Sequence, residues 1–132
     1  VDLATLTGAI MVALGDEYCG AFVNDDTFWA QLDQAGKEVG EKLWRMPLDE
    51  AYRKDVESKV ADLQNIGASG RLAGACTAAA FLEHFINEGQ IWAHLDIAGM
   101  AWVKKDRPTI PKHSTGFGVR LLNELIAANY EG

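Results

Sequence analysis

Cysteine and proline are scarce in this chain, and long apolar runs are missing. The two cysteines, Cys19 and Cys76, are too few and too far apart for a disulfide framework or a zinc knuckle. That scarcity points to a reducing, cytoplasmic compartment and to free thiols. Cys76, in Ala75-Cys-Thr-Ala-Ala-Ala80, reads as a packed thiol on a helix face of small residues. No apolar run approaches the roughly 20 residues that span a bilayer, and no signal peptide opens the chain, so no membrane partner is expected. Positive charge is in deficit: 12 basic residues face 19 acidic ones, for a net charge of −7. Such a balance repels phosphate backbones and argues against a nucleic-acid partner. The basic run Lys104-Lys-Asp-Arg107 is the one counter-sign, and it reads as a solvated loop ahead of Pro108. Val1 lies inside an apolar stretch, which suggests a start codon elsewhere.

Hydrophobic residues make up 48% of the 132, and charged residues 23%. Those proportions belong to a soluble globular chain, and the length fits one domain with a real core. Val1 to Val12, broken by Gly8, predicts strand, tight turn and second strand. Gly20 to Asn24 reads as a short buried strand, and Asn24-Asp25-Asp26 as the cap of a helix. That helix places Phe28, Leu32, Ala35, Val39 and Leu43 on one face, with Gly36 and Gly40 inside it. Pro47 interrupts, and Asp49 can cap a second helix through Val56. Val60 to Leu63 allows a short strand. The glycine-rich Gly67 to Gly74 then feeds a helix to Ile86, with Leu72, Cys76, Ala79 and Leu82 near helical spacing. Ile91 to Trp102 is the strongest strand pattern, and Ser114 or Thr115 can cap a last helix through Ala128. Strands alternating with helices argue for a layered α/β domain.

Chemistry is harder to find. The loop Gly67 to Gly74 ahead of a helix could cradle an anion, but it lacks the Gly-Lys-Ser/Thr ending of a phosphate loop. Glycines that admit close helix packing are the simpler account. His94 and Asp96, two apart on a strand, share a face and could be a metal pair. No second cluster of ligand type has matching spacing, so a histidine hydrogen-bonded near a buried carboxylate is the plainer reading. There is no Gly-x-Ser-x-Gly elbow, and neither cysteine carries a thiol-protease signature. The residues alone present no complete catalytic constellation.

The order of several blocks says more. Val1-Asp-Leu-Ala-Thr-Leu-Thr-Gly-Ala9, Ala13-Leu-Gly15, Asn24-Asp-Asp26 and Leu43-Trp-Arg-Met-Pro-Leu48 follow one another. Ala61-Asp-Leu63, Ala73-Gly74, Thr77-Ala-Ala79 and Phe81-Leu82 come next. Trp92-Ala-His-Leu-Asp-Ile-Ala-Gly99 and Thr115-Gly-Phe-Gly-Val-Arg-Leu-Leu122 complete the series. In this order and spacing, over nearly the whole chain, they resemble the C-terminal part of the catalytic domain of the leucyl (cytosol) aminopeptidase family.

The resemblance implies an α/β sandwich with a mixed central sheet flanked by helices, of which residues 1–132 are a C-terminal segment. It implies a cytoplasmic, hexameric metallopeptidase that removes N-terminal residues, often leucine, from peptides with two divalent cations, zinc or manganese. The family's metal ligands and its catalytic lysine and arginine precede the block at Val1, several within Asn-Thr-Asp-Ala-Glu-Gly-Arg. No catalytic residue or metal ligand is therefore expected here, and the segment alone is expected to be inactive. What carries over is substrate binding. Leu6 would offer its carbonyl to the substrate, while Thr5, Gly8, Ala98 and Ala101 match positions lining the pocket for the N-terminal side chain. Met100 adjoins that wall. Relatives usually carry a glycine near His113, where this chain reads Pro111-Lys-His-Ser114. The competing expectation is a catalytically silent assembly module that contributes only packing and subunit contacts.

Overall fold

Alternation along one strand decides the architecture. The computed structural model describes residues 1–104 and 112–131. In it, strand β2 (Cys19–Val23) is buried at every position. Cys19, Ala21 and Val23 enter one core with Leu32 and Ala35 of one helix and Leu121 and Leu125 of another. Phe22, between them, enters a second core with Ile10, Ala75, Cys76 and Ala79. A strand buried on both faces needs helices on both sides of its sheet, and it loses the polar alternation of a half-exposed strand. Burying a side chain the size of Phe22 or Leu32 contributes roughly 1.5–3 kcal/mol.

Eleven elements build these layers among the described residues, beginning with strand β1 (Asp2–Ala4) and helix α1 (Gly8–Leu14). After β2 come α2 (Asp26–Val39), β3 (Leu43–Arg45), α3 (Glu50–Asp55) and α4 (Gly74–Glu83). The chain continues through β4 (Ala93–Asp96), β5 (Trp102–Val103), β6 (His113–Ser114) and α5 (Val119–Asn129). The main sheet runs β1-β4-β2-β3. β1 and β4 are parallel, β4 and β2 antiparallel, and β2 and β3 parallel. It is the mixed sheet flanked by helices that the resemblance implies. Helices α2 and α5 pack on one face, and α1 and α4 supply the core of the other.

Several local expectations change. Residues 8–14 form a helix, not a second strand, because Thr7 caps it: its hydroxyl accepts from the Ile10 amide at 3.1 Å. Seven residues are too few for periodicity to separate helix from strand. Helix α2 ends at Gly40, which takes the left-handed conformation at φ 70°, so Leu43 belongs to β3. Val60 to Leu63 makes no strand beyond an isolated bridge between Glu57 and Leu63. Ile91 to Trp102 splits at a turn after Asp96. The last helix starts at Val119, and its amides are met by Glu41 instead of Ser114 or Thr115. His113 sits at φ 91°, a conformation that glycine adopts freely and that L side chains rarely do. Lys105 to Pro111, with most of the basic run, lie outside the described residues.

Candidate substrate-binding edge of the sheet

Parallel pairing brings distant segments to one edge. Asp2, Leu3 and Ala4 pair with His94, Leu95 and Asp96, so both strands end at the same level. The Ile97 amide extends the pairing to the Ala4 carbonyl at 2.9 Å. Beyond that edge β1 releases Thr5, Leu6 and Gly8, and β4 releases Ala98 and Ala101. The crevice beyond the carboxyl ends of strands is the usual ligand site of an open α/β sheet. Thr5, Leu6 and Gly8 are exposed, and Ala98 and Ala101 are half-buried. A β-carbon added at Gly8 would meet no atom within 4 Å. Leu6 and Gly8 line an open groove of about 1010 Å³, together with Val12, Met46 and Ile66, but neither Ala98 nor Ala101 reaches it.

A single carboxylate joins the two loops. Asp96 is 1% exposed. Its Oδ1 accepts from the Leu6 amide at 3.1 Å and from the Ala98 amide at 3.2 Å. Its Oδ2 accepts from the Thr7 hydroxyl at 2.7 Å. Ala98 and Ala101 are held further by a tight turn, in which Met100 and Ala101 donate to the Ile97 carbonyl at 2.9 Å. Thr115 closes the same turn, donating its hydroxyl to the Met100 carbonyl at 2.7 Å and its amide to the Ala101 carbonyl at 3.1 Å. Gly99 lies so close to the Gly15 carbonyl that any β-carbon there would collide with backbone.

His94 and Asp96 do share a face, as strand alternation requires. Asp96 turns to the loops, and His94 to Asp2, whose Oδ1 is 2.6 Å from its Nδ1. The imidazole stacks on Phe22 and Trp92, with ring centroids 5.9 and 6.3 Å away. Trp92 Nε1 donates to Asp2 Oδ2 at 2.7 Å. Burial raises the Asp2 carboxyl, but the bonds from His94 and Trp92 outweigh it, and its pKa falls below the ordinary 3.8. This is the hydrogen-bonded histidine that the spacing suggested.

The buried thiols are not activated. Burial pushes Cys19 far above the ordinary thiol range, and the charges of Asp96 and Glu41 push it further. Cys76 is raised by burial, with a hydrogen bond to Tyr52 acting against the shift. Both are free of disulfides, and neither has the low pKa of a nucleophile. Gly74, which closes the glycine-rich loop, serves close packing: a β-carbon there would stand 3.1 Å from that of Ala9, where α4 meets α1. Among the described residues no three His, Cys, Asp or Glu come together as a group that could hold a metal ion. Asp96, buried at this edge, and Asp2, half-buried at the start of β1, have their oxygens committed to N–H and O–H donors.

Sequence reasoning missed Thr7 and the bridging role of Asp96. Thr7 carried a signal, a hydroxyl residue three before Ile10 at the entry of an apolar run. Asp96 carried none, because its partners at Leu6 and Thr7 are 90 and 89 residues away.

Known proteins match this chain over most of its length. The model for the cytosol aminopeptidase family, catalytic domain, matches residues 1–123. A probable cytosol aminopeptidase of Ehrlichia ruminantium (strain Gardel) is 58% identical over 132 residues, covering 99% of this chain and 26% of that protein. One from Caulobacter vibrioides is 54% identical over 133 residues, covering 100% of this chain and again 26% of its relative. The solved structure of a tomato leucine aminopeptidase mutant superposes with a TM-score of 0.88 at 45% identity, over 97% of this chain and 24% of that one. The chain thus spans about a quarter of the length of the curated relatives it matches, at 26%. No helix among the described residues is long and apolar enough to cross a membrane. With its family model, its relatives and its fold in agreement, the chain belongs to the cytosol aminopeptidase family.

Proposed function

We propose that this chain is the C-terminal segment of the catalytic domain of a leucyl aminopeptidase, and that it supplies the wall of the substrate pocket. The observation that carries the reading is the meeting of the Thr5–Gly8 and Ala98–Ala101 loops at one sheet edge, both fastened to Asp96. The full protein, on this reading, is a cytoplasmic homo-hexamer acting on peptides with a free N-terminus. It carries two divalent cations, zinc or manganese, on residues other than those of this chain. The work of this chain is binding: Leu6 presents its carbonyl to the substrate, and Thr5, Gly8, Ala98 and Ala101 bound the space for the N-terminal side chain. Small residues leave room for a leucine-sized group, whose burial yields roughly 1.5–3 kcal/mol.

Filling that space tests the reading. Ala98→Leu in the full-length enzyme should lower kcat/KM for a leucine amide about 10–200-fold relative to an alanine amide. Metal content, measured on the same preparations, should stay constant. Equal losses on both substrates mean that Ala98 supports the fold and does not bound the pocket.

A further inference from the structure

A pocket built from two loops is only as well defined as the spacing between them. Thr5 to Gly8 and Ala98 to Ala101 come from strands far apart in sequence, and the backbone pairing of β1 and β4 ends with the Ile97 amide on the Ala4 carbonyl. Past that point Asp96 takes over. Its Oδ1 receives one amide from each loop, Leu6 at 3.1 Å and Ala98 at 3.2 Å. Its Oδ2 receives the Thr7 hydroxyl at 2.7 Å, and the Thr7 oxygen in turn accepts the Ile10 amide at 3.1 Å. Leu6 is therefore held through its own amide and through the next residue, and the start of α1 is tied to the same carboxylate.

We propose that Asp96 is a positioning residue that sets the separation of the two loops and, through it, the preference of the pocket for a large N-terminal side chain. The inference rests on the pocket reading given above. The charged form suits the task, because an ionised carboxylate only accepts, and all three groups facing it are donors. Asparagine has nearly the same volume but presents an N–H₂ group on one side. Turned toward Thr7, that group could only donate to the remaining lone pair of the hydroxyl oxygen, which leaves the hydroxyl proton without its acceptor. On the pocket reading a leucine side chain would span more of the space between the two loops than the methyl of alanine, so a loosened wall would penalise leucine more.

Steady-state kinetics on the full-length enzyme, with leucine and alanine amides in parallel, read this directly. Asp96→Asn should lower the leucine-to-alanine ratio of kcat/KM about 10-fold. Thr7→Val, which removes only the hydroxyl, should lower it in the same direction, and Thr7→Ser, which restores the hydroxyl, should keep the wild-type ratio. A residue that merely stabilises the fold would lower both substrates together and leave the ratio alone. An unchanged ratio in Asp96→Asn and Thr7→Val, beside a changed ratio in Ala98→Leu, overturns the positioning role and leaves the pocket reading standing. No change in Ala98→Leu overturns the pocket reading, and the positioning role falls with it. Should Asp96→Asn fail to fold, the Thr7→Val and Thr7→Ser pair decides alone.

Discussion

Two sets of carboxylates organise this molecule, and they work over different distances. Asp25 and Asp49 act within a single turn, accepting from the amides of Phe28 at 2.7 Å and Ala51 at 2.8 Å to start α2 and α3. Glu41, Asp96 and Asp2 act across the chain. Glu41 accepts from Gly118 and Leu121, Asp96 from Leu6 and Thr7, and Asp2 from Trp92 and His94. The first set decides where helices begin. The second decides where segments sit relative to one another. Burial separates the extremes: Glu41 is 5% and Asp96 1% exposed and Asp49 is open to water, with Asp25 and Asp2 between them. A cap in water can be replaced by solvent, but a buried acceptor leaves its donors with nothing.

The widest gap between the two sets should appear at Glu41. Its Oε2 accepts from Gly118 at 3.1 Å and Leu121 at 3.0 Å, meeting the free amides at the start of α5, and Arg120 lies 3.5 Å from Oε1. Glu41→Ala removes the acceptor and leaves two buried amides unpaired, a loss of about 3 kcal/mol. Hydrogen exchange across residues 119–129 should accelerate about 100-fold, the equivalent of that loss at 1.4 kcal/mol per factor of ten. Exchange at wild-type rates would place the α5 amides on another acceptor and erase the distinction between near and far carboxylates.

The same division marks what could be read from the sequence. Local signals were legible: Asp25 and Asp49 start helices, β2 is a buried strand, and His94 and Asp96 share a face. Distant ones were not. Ser114 and Thr115 were the nearest capping residues to α5, yet the acceptor for its amides is 77 residues from Gly118. Thr115 instead braces the turn at Met100. Leu43 fitted the helix face of α2 by spacing alone, but Gly40 had already turned the chain. The five candidate pocket residues came from family resemblance. That the Leu6 and Ala98 amides meet on one carboxylate follows from the pairing of β1 with β4, which no local pattern encodes.

Asp2 tests the comparison at intermediate depth. Its side chain is 45% exposed, while its partner His94 is fully buried. Asp2→Asn keeps the shape but sets an N–H₂ group against a ring N–H, for a loss of about 2 kcal/mol near neutral pH. The pH dependence carries the sign. Because the folded carboxyl titrates below the ordinary 3.8, the unfolded chain takes up the proton first as pH falls. The contribution of Asp2 is therefore complete above that value and lost as pH drops through the depressed one. Urea unfolding followed by tryptophan fluorescence should show wild type and variant well apart at neutral pH and converging below about pH 3.8. A constant gap across that range would mean that Asp2 contributes through packing and not through its charge.

The smallest effect belongs to the near set, and it bounds the comparison from below. Asp25 adopts an extended backbone at φ −135° and ψ 132°, and its Oδ1 accepts from Phe28 at 2.7 Å. This is the standard geometry of a helix cap, and replacing such a residue by alanine costs about 1 kcal/mol. Asp26 in the first turn partly offsets the loss, because its charge also favours the positive end of the helix. Phe28 and Trp29 pack partly against the core, so the first turn does not depend on the cap alone. Asp25→Ala should therefore raise exchange in the first turn of α2 about fivefold, leaving α5 at its wild-type rate. Exchange that rises along the whole of α2 and in α5 as well would show that this local cap props up the tertiary packing. Asp25 would then belong with Glu41 and Asp96, and the line between the two sets would have to be drawn by burial alone, not by distance along the chain.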